Sequence, residues 1–342
     1  MSVIISGTDG LTFNDSSLQG AAASPYVLKN RLINSAMAID QRNAGASQTF
    51  TAGGALAYAV DRWYGYCTGA NVTGQRVAGS TTPTNSQYRY KFTGAASVTA
   101  VGFGQRIEQS NSYDLAGSTC TLSADLGISA TLTTVTWTAS YATTTADTFG
   151  TLASPTVTQI ATGTFTVSAT MTNFNAQISV PAAATTGIQI VFTVGALTAG
   201  LTWTIGNVQL ERNSTATLFE QRLYNQELAN CQRYLPATTA IGGSGEQAGL
   251  VAWIGATTAW GIFIPIVQPR VVPTGLTATA TQITARVPAG SNLVCTAVAF
   301  AGAGLNQFLF DITVAAGGAV NASGWYFLNT AGAKILWTGC EL

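Results

Sequence analysis

Carboxylates are the side chains of this 342-residue sequence best suited to acid–base chemistry, because the sequence contains no histidine. Without histidine it lacks the usual general base, the commonest metal ligand and the partner of a nucleophilic serine or cysteine. Glycoside hydrolysis needs two carboxyl groups about 5 to 10 Å apart beside a cleft. Asp61 with Glu211, or Glu108 with Asp114, could form such a pair, but neither lies in a recognisable catalytic motif. The sequence therefore predicts a protein that is not an enzyme.

Three tryptophans near the C-terminal end are candidates for ligand contact. Trp253, Trp260 and Trp325 stand beside the polar turns GATT at 255–258 and NASG at 321–324. Aromatic rings next to polar groups are how proteins hold sugar faces, and few charges lie nearby, so a neutral glycan is the expected ligand. The alternative for each ring is a place in a β core, since apolar residues alternate along these segments.

The five cysteines are widely separated and form no CxxC motif. This pattern indicates neither a disulfide framework nor a zinc site, and it fits buried free thiols in a protein assembled in a reducing cytoplasm. We expect no metal and no cofactor.

Composition restricts the partners. Charged residues make up 8% of the chain, the formal net charge is zero and no basic stripe is present, so nucleic acid is not an expected partner. No apolar run approaches the ~20 residues of a spanning helix, so membrane insertion is not expected. Small apolar residues with little charge favour surfaces that are buried between subunits, which predicts an oligomer.

Short alternating runs separated by Gly, Thr and Asn turns predict an all-β protein. Residues 30–212 are predicted to form a jelly-roll β-sandwich, because their strand spacing fits a jelly roll better than βαβ units. Residues 237–342 are predicted to form a second β-sandwich. Residues 1–29 are too short and too open to fold alone, and we expect them to order only on assembly.

Residues 213–236 are predicted to form a connecting helix. Thr215 or Thr217 can cap it, Glu220 follows Thr217 at capping-box spacing, and Pro236 ends it. An apolar seam follows helical spacing. The seam consists of Tyr224, Leu228, Cys231 and Leu235, widened by Phe219 and Leu223. So short a helix must pack, either on the sandwich or against symmetry-related copies.

Several separated words of the sequence resemble tailed-bacteriophage tail and head fibre (spike) proteins that contain a jelly roll like that of carbohydrate-binding modules. The words are GTDGLTF at 7–13, QR at 41–42, DRW at 61–63, GQRIE at 104–108, TLSA at 121–124, VQLE at 208–211 and CQRYL at 231–235. Ser35 and Asn43 depart from the family pattern, which has glycine there. The resemblance covers about residues 1 to 235.

The resemblance implies a virion fibre or spike protein that is a homotrimer. Its residues 1–29 would form an attachment and trimerisation arm that binds other virion proteins, and its C-terminal tip would meet a bacterial surface glycan. Two alternatives are a capsid decoration or head-fibre protein with a purely structural role, and a polysaccharide depolymerase. Many relatives hold a structural calcium, for which Asp40, Asp125 and Glu211 are the candidate ligands here, although we expect none. Trp63 of the DRW word belongs to the core or, alternatively, stacks on a sugar.

Overall fold

The computed structural model describes residues 4–6, 10–12, 18–19, 28–129, 132–240, 245–288 and 290–342. Within the first three of these ranges, strands β1 (Ile4–Ser6), β2 (Gly10–Thr12) and β3 (Leu18–Gln19) pair in antiparallel fashion in the order β1-β2-β3. The remainder of the predicted arm up to residue 27 lies outside the described residues. The predicted attachment role of residues 1–29 stays a prediction.

The described part of residues 28–211 forms a sandwich of two antiparallel six-stranded sheets. The first sheet has the order β13-β10-β15-β8-β7-β4, with β4 Gln48–Phe50, β7 Val72–Ala78, β8 Tyr88–Thr93, β10 Thr119–Ile128, β13 Thr172–Ser179 and β15 Thr202–Glu211. The second has the order β12-β11-β14-β9-β6-β5, with β5 Ala57–Tyr58, β6 Tyr64–Thr68, β9 Ala100–Ile107, β11 Thr134–Ala142, β12 Val157–Thr166 and β14 Ile188–Val194.

Alternating apolar residues build the sandwich core, as strand β14 illustrates. In its sequence IQIVFTV every second residue is buried, because successive side chains of a strand point to opposite faces. Trp63 stacks on Phe103 with ring centroids 5.0 Å apart, and Phe92 stacks on Trp203 at 5.4 Å. Trp63 is fully buried, so it belongs to the core and offers no face to a sugar. The predicted all-β class is confirmed.

The connecting helix is shorter than predicted. Within the predicted range 213–236, helix α2 spans only Tyr224–Gln232. A separate short helix, α1, spans Gln109–Ser112 in the sandwich. The predicted caps have other partners: Thr217 donates its hydroxyl to Glu211 at 2.7 Å, and Glu220 accepts the main-chain N–H of Asn30 at 2.6 Å. These contacts hold the segment before the helix against the sandwich in a non-helical conformation.

Helix α2 packs on the sandwich with part of the predicted seam. Cys231 and Leu235 are buried. Tyr224, the first residue of the helix, and Leu223, which precedes it, are exposed. Glu227 accepts a hydrogen bond from the main-chain N–H of Asn34, which ties the helix to the start of the sandwich.

The C-terminal residues form a closed six-stranded barrel and a small sheet among the residues described. The barrel has the order β17-β18-β22-β21-β20-β23, with β17 Glu246–Trp253, β18 Thr258–Phe263, β20 Ile283–Arg286, β21 Asn292–Ala303, β22 Phe308–Val314 and β23 Ser323–Leu328. The small sheet has the order β16-β24-β19, with β16 Ala237–Thr239, β19 Gly275–Ala278 and β24 Lys334–Thr338.

Closure into a barrel replaces the second β-sandwich expected for residues 237–342. The long strand β21 pairs with both β20 and β22, and its ladder with β22 shifts register between Cys295 and Ala297 and again between Phe300 and Gly302. Bulges bend and twist a strand, which lets one sheet curl until its edges meet. Gly261 is required inside the barrel, since a Cβ there would lie 2.2 Å from the Phe310 ring.

A charged junction joins the sandwich to the C-terminal part. The guanidinium of Arg62 lies 3.6 Å from the ring centroid of Tyr234 and pairs with Glu341. Arg42 also pairs with Glu341, at 3.1 Å, and the Tyr58 hydroxyl donates to the main-chain oxygen of Leu342 at 2.6 Å. Opposite charges and hydrogen bonds compensate most of the charge buried here, although the Nε of Arg62 has no hydrogen-bond partner. In the described residues no helix has the length and apolar character to cross a membrane.

Candidate functional site

A cleft on the outer face of the barrel is the candidate site. Its volume is about 370 Å³. The lining residues are Gly245, Gln247, Arg286, Asn292, Trp325 and Phe327. They combine two aromatic rings, two carboxamides and one guanidinium, and no carboxylate is among them. The volume lies within the range of small-molecule pockets, which is about 300–1,000 Å³.

Strand register positions these side chains. Trp325 of β23 pairs with Arg286 of β20, which in turn pairs with Asn292 of β21. Tyr326 and Leu328 are buried inside the barrel, so Trp325 and Phe327 must point outward. The three paired residues therefore form a row across three neighbouring strands, about 10 Å wide at the usual strand spacing.

A bulge brings the fourth strand into the cleft. The pairing of β17 with β23 shifts register between Gln247 and Gly249, which places Gln247 opposite Phe327. Gly249 allows this close approach, because a Cβ there would lie 2.6 Å from the ring of Tyr326. The bulge thus aims one carboxamide at the aromatic floor.

Arg286 carries the charge of the cleft. Its guanidinium carbon lies 5.1 Å from the centroid of the Trp325 ring, a cation–π distance. Among the described residues it takes part in no ion pair. Rings can stack on the C–H faces of a sugar while guanidinium and amide groups bond its oxygens. The arrangement is suited to binding a polar ring-shaped ligand.

The three predicted tryptophans are found in three different environments. Trp325 lines the cleft. Trp260 is 45% exposed on β18 but does not line it, since β17 separates β18 from β23. Trp253 is 2% exposed and packs inside the barrel, with its indole Nε1 donating to the main-chain oxygen of Arg286 at 3.4 Å, so it offers no ring face to a ligand.

Sequence reasoning missed the other cleft residues, Gln247, Arg286, Asn292 and Phe327. Alternation alone gave a usable signal for Phe327, which is two residues from Trp325 and must share its face. For Arg286 the available signal was its charge, since it stands in a strand-like run of a region that contains few charged residues. Gln247 could not have been found, because its orientation depends on the bulge.

The sandwich carries a second, shallower aromatic surface. The ring of half-buried Tyr66 lies over Gly102, where a Cβ would come within 2.1 Å of it. On the neighbouring strands Thr193 pairs with Gly102, and Thr136 pairs with Thr193, so the surface continues across the sheet through these two threonines. One exposed tyrosine edge among threonines offers fewer donors than the barrel cleft does.

The carboxylates considered for catalysis all have other partners. Asp61 is fully buried and accepts from Gln41 at 2.7 Å and from Arg42 at 3.5 Å. Burial, only partly offset by Arg42 and Gln41, raises the pKa of Asp61 to about 6. Asp114 pairs with Arg31 at 2.7 Å.

Glu108 and Glu211 also hold the structure together. Burial raises the pKa of Glu108, but hydrogen bonds from Arg233 and the Tyr234 hydroxyl outweigh it, so the net shift is downward. Glu211 accepts from the main-chain N–H of Thr217 at 2.8 Å as well as from its hydroxyl. Neither carboxylate lines the barrel cleft.

The candidate calcium ligands are likewise engaged. Asp125 accepts from Asn173 at 2.9 Å, Asn207 at 3.1 Å and Thr84 at 3.3 Å, while burial raises its pKa. Asp40 accepts two main-chain N–H groups of the turn that follows it. No group of three or more Cys, Asp or Glu in the described ranges is placed to hold a metal ion.

Comparison with known proteins finds no matching family model and no matching curated protein. Among solved structures, the enzymatically active domain of bacteriophage CBA120 tailspike protein 4 is 16% identical with a TM-score of 0.35, over 56% of this chain and 22% of that one. TmCBM61 in complex with β-1,4-galactotriose is 14% identical with a TM-score of 0.31, over 44% of this chain and 88% of that one. A CBM4 structure is 15% identical with a TM-score of 0.28, over 53% and 98%. TM-scores below 0.5 assign neither a fold nor a function.

Proposed function

We propose that this chain is a non-enzymatic attachment protein of a tailed-bacteriophage virion fibre or spike, and that it binds a bacterial surface glycan in the barrel cleft. The observation that carries the proposal is the cleft itself. Trp325 and Phe327 provide apolar ring surface, and Arg286, Gln247 and Asn292 provide hydrogen-bonding groups around it. This combination suits sugars, which have apolar C–H faces and polar edges.

Support for the virion setting comes from the sequence. The fibre-like words run from the N-terminal segment to the connecting helix, and the barrel follows them. A body that begins with an attachment arm and ends with a binding domain would present the cleft away from the particle. The second candidate, a capsid decoration or head-fibre protein with a structural role, requires no ligand in the cleft.

The absence of hydrolysis is part of the proposal. Asp61, Glu108, Asp114 and Glu211 each bond to a partner that explains their position, and none lines the cleft. A hydrolytic site needs two carboxyl groups beside the bound sugar. Release of reducing ends from capsular or lipopolysaccharide substrates by the purified chain would favour a depolymerase instead.

We also propose self-association as a homotrimer. Leu218, Leu223 and Tyr224 are 88%, 79% and 61% exposed on the segment that leads into helix α2. The polar groups of this segment turn inward, since Arg222 bonds the main-chain oxygen of Leu32 and Glu220 bonds Asn30. Exposed apolar clusters of this kind often mark contacts between chains.

The oligomer has a direct test. Light scattering of the full chain should give about three times the mass of one 35.2 kDa copy. Changing Leu218 and Leu223 to Glu should reduce the mass without loss of the β-type circular dichroism spectrum. A wild-type mass of one copy at micromolar concentration would contradict the trimer.

The binding test compares two tryptophans of the same barrel, half-buried Trp325 and exposed Trp260. Trp325→Ala should abolish binding of the full chain to host cells and to host polysaccharide. Trp260→Ala should bind as the wild type does, because Trp260 lies outside the cleft. Circular dichroism checks the folding of both variants. Equal binding by the wild type and Trp325→Ala would show that the glycan site lies elsewhere, with the Tyr66 surface as the next candidate.

A further inference from the structure

We propose that the barrel cleft selects glycans that carry a carboxylate, such as those built with uronic or sialic acids, and that Arg286 determines this specificity. The inference rests on the proposed glycan-binding function and replaces the neutral ligand that the low charge of this region predicts. It depends on where the few charges of residues 237–342 are placed.

Of the six charged residues at 237–342, three serve the junction with the sandwich. Arg270 donates to the main-chain oxygens of Cys340 at 2.9 Å and Glu341 at 2.8 Å. Lys334 donates to the main-chain oxygen of Arg42. Glu341 pairs with two arginines of the sandwich. These groups have structural partners and do not line the cleft.

Arg286 is placed differently. It lines the cleft, it has no ion-pair partner in the described part of the chain, and no acidic residue stands among the lining residues. Glu246 and Asp311 do not line the cleft: Glu246 stands on β17 opposite Leu328, and Asp311 is exposed on β22 opposite Trp260. A half-buried guanidinium without a counter-ion raises the potential of the cleft and favours a ligand that supplies the negative charge.

Two properties of Arg286, its restricted guanidinium and its single positive charge, favour a carboxylate over a more highly charged group. Contact with the Trp325 ring restricts the guanidinium, which reduces the entropy lost when its parallel N–H donors bind two oxygens of one group. One guanidinium neutralises one carboxylate, whereas a phosphate monoester carries about −1.5 to −2 charges at pH 7. Asn292 pairs with Arg286, and Gln247 lines the cleft opposite Phe327; both are neutral amides suited to hydroxyl groups.

The experiment measures binding of the full chain to an array of acidic oligosaccharides, each printed beside its carboxyl-reduced neutral counterpart. Sulfated and phosphorylated glycans complete the array. We expect an acidic member to bind about tenfold or more tightly than its reduced counterpart, as charged hydrogen bonds allow. Arg286→Gln should remove this difference, Arg286→Lys should keep part of it, and higher salt should weaken only the acidic member.

Any other result of the binding experiment contradicts either the carboxylate specificity or the glycan-binding function. If reduced and acidic members bind equally and Arg286→Gln changes neither, the carboxylate specificity is wrong while the glycan-binding function stands. Tighter binding of sulfated or phosphorylated members would overturn the choice of carboxylate. Trp325→Ala should lose acidic and neutral members alike. If wild type binds no member and no host polysaccharide, both proposals fail.

Discussion

Replacing Asp61 with asparagine should make the protein more stable at neutral pH, by an amount that depends on pH. Asp61 is fully buried, and burial raises its pKa from 3.8 to about 6. A folded pKa above the unfolded value means that the folded state binds the proton more tightly. The stability gained from protonation is therefore fully present below pH 3.8 and is lost as the pH rises through about 6.

The size of the effect follows from this difference in pKa. A difference of about two corresponds to about 3 kcal/mol of unfolding free energy. The wild type should lose most of this, about 2 kcal/mol, from Asp61 alone between pH 4 and pH 7, whereas the Asp61→Asn variant has no carboxyl group to titrate there. Gln41 can still donate to the side-chain oxygen of the new amide. The unfolding free energy of Asp61→Asn minus that of the wild type should thus rise by about 2 kcal/mol across this range.

Guanidinium unfolding of both proteins at several pH values between 4 and 7, followed by circular dichroism, measures the difference. Subtracting the two curves cancels the titration of all other groups. Asp114→Asn is the matched control, since it makes the same chemical change in a surface ion pair, where such pairs contribute about 0–1 kcal/mol. A difference between wild type and Asp61→Asn that stays constant with pH would refute the reasoning.

Three further changes test the core and the junction. Trp63→Ala should lower stability by about 3–5 kcal/mol through cavity formation in the sandwich, and a loss below about 1 kcal/mol in chemical unfolding would contradict its core position. Glu341→Gln should cost about 3–5 kcal/mol, because Arg62 would remain buried without its counter-charge; an unchanged melting temperature would argue against the junction. Gly102→Ala should cost about 1–3 kcal/mol by displacing the Tyr66 ring, and Tyr66→Ala in the same chain should recover part of that loss.

The strands of the sandwich could be predicted because their signal is local. In β14 the alternation of apolar residues fixes which face is buried, and the structure follows it. The C-terminal barrel has equally clear strands, but closure depends on bulges in β21 that no local pattern reveals. The helix was predicted too long for a related reason. Its caps, Thr217 and Glu220, are used by residues outside the helix.

The candidate site was predicted in part. Trp325 was found because it is aromatic and follows a polar turn, and these properties do not require knowledge of the fold. The same properties suggested Trp253, whose position in β17 turns it inward. A side chain that is shifted by one position along a strand moves from the core face of the sheet to the solvent face, so one residue decides whether an aromatic ring is buried or exposed. Arg286 enters the site only through its cross-strand pairing with Trp325.

The junction has a mechanical consequence. Helix α2 ends at Gln232, and the first strand of the C-terminal part begins at Ala237. Glu341 and Leu342 return to the same place, where they bond to Arg42, Arg62 and Tyr58. Strands β16 and β24 are also paired, so both ends of this part are anchored side by side. A single tether would act as a hinge, but two adjacent anchors resist bending and torsion as well as tension. Tension applied to the barrel must therefore break several charged contacts together before the barrel can swing away from the sandwich.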